Sequence, residues 1–233
     1  MVAFVHHLDP PVRSQAARVL RAAPVRVLEL APHAGDALPA PGDVDAIVTF
    51  GGAQSVLDLD GDPALAAEGR WLADAVARGV PVLGVCLGAQ LLAHALGGRV
   101  FRLPRRQVTW LPLAPTEDAR ADPLLDALPA TAHGLHWNED GFEPPPGAVE
   151  LLRRAPRAGC LAFRHGPAAW GVQFHPEVDA GELEHWYATW QPALAQAGVT
   201  EAAARELDRR RFPGQGPLAD AIFSGFARVV AGR

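Results

Sequence analysis

The stretch that decides the fold is Val82-Leu83-Gly84-Val85-Cys86-Leu87-Gly88-Ala89-Gln90. Residues 81–85 are apolar and predict a buried strand, and residues 87–96 predict a helix that stops at two glycines. Cys86 lies between them, in the G-x-nucleophile-x-G pattern of a sharp strand-to-helix turn. Gly84 and Gly88 flank it because side chains at so tight a bend would collide. At the helix N-terminus, unpaired amides and the helix dipole favour the reactive thiolate.

The competing interpretation of this turn is a buried structural cysteine packed among glycines. Gln90 favours a catalytic role, because it lies one helical turn after Cys86 and its amide shares a face with the thiol. An amide there can donate to and accept from a polar substrate. Cys160 is the second of two cysteines. It lies in a strand-like run without a glycine turn or a nearby base, so we interpret it as core.

Strands and helices alternate on the N-terminal side of the turn. Apolar runs at residues 1–6, 25–30 and 46–50 predict strands, and helical spacing at 13–22 and 64–78 predicts helices. This β-α-β alternation is typical of a parallel sheet covered on both faces. We therefore predict an α/β fold with three layers, in which helices cover both faces of a mostly parallel central sheet.

Shorter strands and then helices are predicted in the second half. Strand-like runs at 100–103, 108–113, 148–154, 160–164 and 169–174 are interrupted by Pro and Gly, and we expect a small antiparallel portion here. From about residue 181 the pattern is helical, and its recurring apolar positions are interpreted as core: Leu183, Trp186, Trp190 and Leu194. No repeat or linker is visible, so residues 1–233 are predicted to form a single domain.

The composition indicates a protein that needs neither nucleic acid nor a membrane as partner. The chain has 233 residues and a formal net charge of -5, and its 21 basic residues are all arginine. That balance gives no electrostatic reason to expect nucleic acid or anionic lipid. Without lysine there is no Schiff-base chemistry and no P-loop. Because no leader, spanning segment or disulfide framework is visible, we expect a cytoplasmic protein.

A second motif offers a base for the thiol. The segment Gly171-Val172-Gln173-Phe174-His175-Pro176-Glu177 is an apolar strand that ends in a histidine and a glutamate. A nucleophilic thiol needs a histidine base, and the histidine needs a third group to fix its tautomer. Residues two apart in extended backbone point to the same side, so Glu177 can orient His175. Other histidines lack such a context and are interpreted as surface or satisfied core: His6, His7, His33, His133, His165 and His185.

Together these segments resemble class I glutamine amidotransferases, the family with a Cys-His-Glu triad. Residues 82–90 match the family's nucleophile motif, and residues 173–178 match its base motif. Phe50-Gly51-Gly52-Ala53-Gln54-Ser55 is similar to the family's Gly-Gly loop, and His136-Trp137-Asn138-Glu139-Asp140-Gly141-Phe142 is similar to a segment that usually has the pattern H-W-H-x-D-x-F. The resemblance covers most of the chain, points to stand-alone GMP-synthase-like amidotransferase domains, and implies a flavodoxin-like fold.

The resemblance also implies a reaction and a set of site residues. Cys86, His175 and Glu177 would hydrolyse the side-chain amide of glutamine to glutamate and ammonia through a γ-glutamyl thioester. Backbone amides of Gly52 and Leu87 would form the oxyanion hole. No metal and no organic cofactor is implied. The residues implied to bind the substrate are Gly51, Gln90, Trp137 and Asn138.

Departures from the family's pattern bear on substrate and partner rather than on the triad. Ala53 stands where proline is frequent, Asn138 replaces the usual histidine, and Arg106 begins a stretch where relatives commonly have E-I-G-W. The ligand would be glutamine or another γ-glutamyl small molecule. With no synthetase domain in the chain, an ammonia acceptor would lie on a separate synthetase subunit.

Two further functions stay open on the sequence. A γ-glutamyl hydrolase acting on γ-glutamyl amides or peptides would carry the same turn and base, because the acyl half of its substrate is the same. A catalytically degenerate binding or regulatory module would keep the fold without the reaction. Reaction of Cys86 with a glutamine-analogue alkylator separates this module from both enzymes.

Overall fold

The computed structural model describes residues 1–22, 25–153 and 160–232. Within these ranges the chain forms ten strands and seven α-helices. The strands are β1 (Val2–His7), β2 (Val27–Leu30), β3 (Ala46–Gly52), β4 (Val82–Val85), β5 (Val100–Pro112), β6 (Ala114–Pro115), β7 (His133–Phe142), β8 (Val149–Arg153), β9 (Cys160–His165) and β10 (Ala169–Val172). The helices are α1 (Ser14–Ala22), α2 (Pro63–Ala77), α3 (Leu87–Ala95), α4 (Ala180–Thr189), α5 (Gln191–Ala197), α6 (Glu201–Arg211) and α7 (Gln215–Ala231).

The central sheet has eight strands in the order β2-β1-β3-β4-β10-β9-β8-β6. The pairings from β2 through β10 are parallel, and β9, β8 and β6 continue the sheet with antiparallel pairings. β5 and β7 stand apart from this sheet and pair with each other as an antiparallel ribbon. The predicted α/β class, with a mostly parallel sheet and a smaller antiparallel portion, is confirmed.

Each face of the central sheet buries its own apolar core, because alternate residues of a strand point to opposite faces. Phe4 and Val48 pack on one face with side chains of α1 and α7. Val5 and Ile47 pack on the other face with side chains of α2 and α3. The predicted three layers result. The carboxyl ends of β1, β3, β4 and β10 lie side by side, where doubly wound sheets place their ligands.

A third apolar cluster joins the β5–β7 ribbon to the C-terminal helices. Val108 of β5 and Trp137 of β7 belong to it, together with Leu183, Trp186 and Leu194 of α4 and α5. The core positions predicted from helical spacing are therefore buried or packed against buried residues. α4 begins with a capping box between Asp179 and Glu182, one residue from the predicted start of the helical region.

Some predicted strands differ from the structure for identifiable reasons. The runs at 100–103 and 108–113 form one strand, β5, in which Pro104 lies inside the register break between Arg102 and Gln107, so no ladder hydrogen bond is required of it. The sequence pattern does not predict β7, whose polar residues mask the alternation. Gly51 and Gly52 are part of β3 rather than of a loop after it. Arg154, the predicted end of a strand, lies outside the described residues.

Candidate active site

The turn at Cys86 has the strained backbone that its glycines predict. Cys86 has φ 51° and ψ -104°, and no other non-glycine residue of the described ranges has a positive φ. A Cβ on Gly84 would lie 2.6 Å from the carbonyl oxygen of Gly88, and a Cβ on Gly88 would lie 2.3 Å from that of Thr49. The two glycines therefore let α3 start directly against β3 and β4, with Cys86 at its N-terminus.

His175 and Glu177 follow β10 and are joined by a hydrogen bond. Nδ1 of His175 lies 2.7 Å from Oε1 of Glu177, and both side chains are buried. The backbone amide of His175 donates to the carbonyl oxygen of Leu135 on β7 at 2.9 Å. The indole of Trp186 meets the imidazole edge-on, with ring centroids 4.8 Å apart. These contacts fix the ring in position.

The cysteine and histidine motifs meet beside Gly51. A Cβ built on Gly51 would lie 2.8 Å from Cε1 of His175 and 3.6 Å from Cβ of Cys86. Nε2 of His175 has no hydrogen bond of normal geometry among the residues that the structure describes, but the imidazole is close enough to Cys86 for that side chain to act on its pKa. Burial lowers the pKa of His175, but the charges of the Glu177 carboxylate and the Cys86 thiolate outweigh burial and raise this pKa to about 10. The arrangement favours a protonated His175 imidazolium at neutral pH.

Two glutamine side chains lie around the thiol. Nε2 of Gln173 lies 3.7 Å from Sγ of Cys86, within hydrogen-bond reach of a sulfur. Gln90 donates from Nε2 to the carbonyl oxygen of Asp140 at 3.0 Å and to Oε1 of Gln173 at 3.3 Å. Gln173 is not among the predicted site residues, although residues 173, 175 and 177 alternate along one side of an extended segment and carry that signal.

The residues predicted to supply oxyanion-hole amides are neighbours in space. A Cβ on Gly52 would lie 2.6 Å from Cδ2 of Leu87, so a larger residue at position 52 would collide with the turn at Cys86. Leu87 is the first residue of α3, and the first amides of a helix have no partner within it. The end of β3 and the start of α3 therefore border the same space above Cys86.

A buried charged pair supports this end of β3. Nε2 of His7 lies 2.8 Å from Oε2 of Glu68, and Nδ1 of His7 lies 3.1 Å from the carbonyl oxygen of Phe50. Thr49 donates to the other carboxylate oxygen of Glu68 at 2.7 Å. Burial lowers the pKa of His7, but the Glu68 carboxylate outweighs burial and raises this pKa. His7 is thus a satisfied core histidine, as predicted, and it anchors the strand that ends in Gly51 and Gly52.

Two cavities border these residues and share Gly52, Ala53, Arg106 and Trp137. The first, here called the thiol cavity, is also lined by Gln54, Cys86, Leu87, Gln90, Asn138, Glu139 and Asp140. The second, here called the indole cavity, has a volume of about 290 Å³ and is also lined by Leu8, Val12, Gly51, His175, Glu177, Trp186, Thr189, Trp190, Pro192, Ala193 and Gln196. His175 and Glu177 thus border one cavity and Cys86 the other.

Opposite charges lie along the thiol cavity. Arg102 and Arg106 both pair with Glu139, and Nε of Arg102 lies 3.1 Å from Oδ1 of Asp140. Burial raises the pKa of Glu139, but the two guanidinium groups outweigh burial and lower this pKa. A guanidinium and carboxylates near the thiol are complementary to the two charged ends of an α-amino acid.

Comparison with known proteins assigns this arrangement to a family. Residues 17–190 match the sequence model of the family described as glutamine amidotransferase class-I. The chain belongs to this family. A glutamine-hydrolyzing GMP synthase from Aeropyrum pernix is 32% identical over 186 residues, which are 74% of this chain and 33% of that protein. The glutamine amidotransferase-like protein YfeJ of Salmonella typhimurium is 30% identical over 172 residues, which are 71% of this chain and 70% of that protein.

A solved structure agrees with the family assignment. The crystal structure of a glutamine amidotransferase from Methylobacillus flagellatus superposes with a TM-score of 0.84 at 26% identity, over 97% of this chain and 94% of that one. The predicted family, fold and enzyme class, a cysteine-dependent amidohydrolase, are confirmed by these comparisons. The chain spans about a third of the length of the Aeropyrum GMP synthase that it matches.

One residue of this amidotransferase that the sequence does not reveal is Gln215, the first residue of α7. Its side chain is fully buried, and Nε2 donates to the carbonyl oxygens of His175 at 2.8 Å and Val178 at 3.1 Å. The segment that carries His175 and Glu177 is therefore tied to a helix far along the chain. No local motif marks this glutamine, because its partners are backbone carbonyls that tertiary packing brings to it.

Cys160 is the structural cysteine that the sequence predicts. It is buried, and its thiol donates to the carbonyl oxygen of Ala162 at 3.0 Å. Burial raises its pKa, which keeps the thiol protonated and unreactive. Within residues 1–22, 25–153 and 160–232, no group of three or more His, Cys, Asp or Glu side chains is placed to hold a metal ion, and no helix is long and apolar enough to cross a bilayer.

Proposed function

We propose that Cys86, His175 and Glu177 hydrolyse the side-chain amide of glutamine to glutamate and ammonia. One observation carries the proposal: the strained cysteine turn and the hydrogen-bonded His175–Glu177 pair converge on Gly51, although they lie far apart in the sequence. A thiol with a base and an orienting carboxylate is the arrangement of a covalent acyl-transfer site.

The first step is acylation of Cys86. The thiolate attacks the carboxamide carbon, and negative charge develops on the amide oxygen. Backbone amides of Gly52 and Leu87 stabilise this oxyanion, and each preorganised donor of this kind contributes about 3 kcal/mol. His175 gives its proton to the amide nitrogen, the carbon–nitrogen bond breaks, and ammonia leaves.

The second step releases glutamate. His175, now neutral, accepts a proton from water, and the resulting hydroxide attacks the γ-glutamyl thioester. The carbon–sulfur bond breaks and Cys86 returns to the thiolate. Glu177 holds the imidazole by its Nδ1 proton in both steps and stabilises the charged ring.

The thiol cavity binds the amino-acid end of the substrate in this proposal. The Arg106 guanidinium offers a partner for the α-carboxylate, and Glu139 and Asp140 offer partners for the α-ammonium group. Gln90 contributes its amide oxygen, because its amide nitrogen is held by Asp140 and Gln173. The Trp137–Asn138 backbone completes the surface of this cavity that the family motifs imply, and Gly51, which they also imply, lines the neighbouring indole cavity.

The released ammonia would pass to a separate synthetase partner. Support comes from the Aeropyrum relative, which is a GMP synthase, and of which this chain matches only about a third. The alignment leaves most of that protein without a counterpart in this chain. An acceptor reaction therefore requires another polypeptide or a further domain.

The test is release of glutamate and ammonia from glutamine by the purified chain. We expect Cys86→Ala to abolish both products while the circular dichroism spectrum stays unchanged. Cys160→Ala is the matched control, because it removes the other thiol and should retain turnover. Release of glutamate by the Cys86→Ala variant at the wild-type rate would contradict the assignment of the nucleophile.

A further inference from the structure

The indole cavity lies on the side of the site from which the leaving group departs. His175 protonates the departing nitrogen, so that nitrogen must lie within reach of the imidazole. His175 and Glu177 line the indole cavity, whereas Cys86 lines the thiol cavity. The acyl part of a substrate therefore occupies one cavity, and any substituent on the amide nitrogen extends into the other.

Ammonia needs almost none of the space that this cavity provides. The cavity has a volume of about 290 Å³, which is close to the lower end of the volumes of sites that bury small organic molecules. Its walls include Val12, Pro192 and the indoles of Trp137, Trp186 and Trp190. The three indoles pack against one another with centroids 5.4 to 6.4 Å apart. This mutual packing makes a preformed apolar surface beside the imidazole.

The charges around the indole cavity favour an uncharged substituent. Arg106 is the cationic side chain among the described lining residues besides the His175 imidazolium, and it is paired with Glu139. The carboxylate of Glu177 also borders the cavity and is paired with His175. In the proposed function Arg106 binds the α-carboxylate of the acyl part, so a leaving group that carried its own carboxylate, as a γ-glutamyl peptide does, would find no further arginine among the described lining residues. An apolar substituent that packs between the indoles buries no charge, so it avoids the free-energy cost of burying an unpaired carboxylate.

We propose that the indole cavity binds the amine half of γ-glutamyl amides, so that the site hydrolyses, besides glutamine, γ-glutamyl amides of apolar, ring-bearing primary amines. The inference rests on the proposed acyl-transfer function and specifies its substrate. Cys86 Sγ bonds to the γ-carbonyl carbon, the carbon–nitrogen bond breaks, and the amine leaves with a proton from His175. Water then cleaves the thioester, so that one amide and one water give glutamate and one free amine.

The experiment compares glutamate release from four substrates that share one acyl group: glutamine, γ-glutamyl methylamide, γ-glutamyl phenethylamide and γ-glutamyl-phenylalanine. We expect kcat/KM for the phenethylamide to exceed that for the methylamide by about tenfold or more, since each buried methylene of a substrate is worth roughly that factor. We also expect it to exceed kcat/KM for γ-glutamyl-phenylalanine, which differs from the phenethylamide by a carboxylate.

A pair of variants on α5 tests whether the cavity is responsible. Gln196 is exposed and lines the indole cavity, whereas Gln191 is exposed on the same helix and does not line it. Gln196→Trp should narrow the cavity and lower the ratio of phenethylamide to methylamide turnover at least about tenfold. Gln191→Trp should leave the ratio at the wild-type value. Because the readout is a ratio, loss of folded protein does not imitate the result.

Four outcomes would overturn the inference. Equal turnover of the phenethylamide and the methylamide by a chain that hydrolyses glutamine would show that the cavity does not receive the amine, and it would leave the glutaminase proposal intact. A ratio unchanged by Gln196→Trp, or a preference for γ-glutamyl-phenylalanine, would place the amine elsewhere or change its chemistry. Failure to hydrolyse any of the four substrates would remove the glutaminase proposal as well.

Discussion

Nδ1 of His175 and Oε1 of Glu177 lie 2.7 Å apart, and a single proline separates the two residues in the chain. Pro176 fixes φ at its own position and donates no amide, so the pair is stiffened covalently as well as hydrogen-bonded. Both side chains are buried, and the carboxylate therefore acts on the imidazole with little screening by water. This pair sets the charge state of the site.

Removing the charge of Glu177 should change the pH dependence of catalysis. With the pKa of His175 raised to about 10, the imidazolium that we propose as the proton donor to the leaving group persists on the alkaline side of neutrality. Glu177→Gln removes the largest favourable charge, so the pKa of His175 falls and the alkaline limb of kcat/KM moves to lower pH. We expect kcat/KM at its optimum to fall about 100-fold or more. An alkaline limb at the wild-type position in this variant would contradict the role of Glu177.

The same charge makes folding stability depend on pH. The pKa of His175 in the folded chain lies above its ordinary value of 6.5. Its contribution to the free energy of unfolding is therefore complete below pH 6.5 and is lost as the pH rises through about 10. Urea unfolding across this window should show a decline that is shallower in Glu177→Gln. A free energy of unfolding of the wild-type chain that stays constant or rises between pH 6.5 and about 10 would contradict the stabilisation of the His175 imidazolium by Glu177.

The sequence predicts the parts of the site that lie in contiguous motifs, and it fails where the contact depends on packing. Cys86 and His175 could be predicted because each needs a particular turn or strand end that its neighbours encode. Gln215 could not, because it contacts the backbone of a segment 40 residues away. Trp186 could be predicted as a core residue but not as part of a cavity wall. Helical spacing shows which face of the helix is buried, but it does not show which side chains that face contacts.

Gln215 is expected to act by positioning the triad segment. Gln215→Leu keeps the volume and removes both donors, which leaves two buried carbonyl oxygens without these partners and costs roughly 1–3 kcal/mol for each. We expect kcat to fall about tenfold with little change in KM, measured well below the unfolding temperature. Gln191→Leu, an exposed glutamine at the start of α5, is the control and should change neither value. A variant with lowered stability but wild-type kcat would show a merely structural role.

Gly88 should be irreplaceable for a steric reason. A Cβ at this position would lie 2.3 Å from the carbonyl oxygen of Thr49, so Gly88→Ala forces α3 away from β3 and displaces Cys86. We expect a loss of about 1–3 kcal/mol in the free energy of unfolding together with loss of turnover. Gly216→Ala is the matched control, since within 4 Å of its added Cβ the described residues place no atom other than those of its chain neighbours and its own helix backbone. That variant should be neutral or more stable in urea unfolding.

The positive φ of Cys86 lowers the stability of the fold, although the same backbone conformation places the thiol for reaction. A side chain held in that backbone region costs of order 1–3 kcal/mol, and glycine would relieve most of it. Cys86→Gly and Cys86→Ala both delete the thiol, yet we expect the glycine variant to unfold at higher urea, the reverse of the usual order for these two residues near a helix. A relative that no longer needed the reaction would therefore gain free energy of unfolding by replacing this cysteine with glycine. Retaining the cysteine then requires selection for the reaction itself.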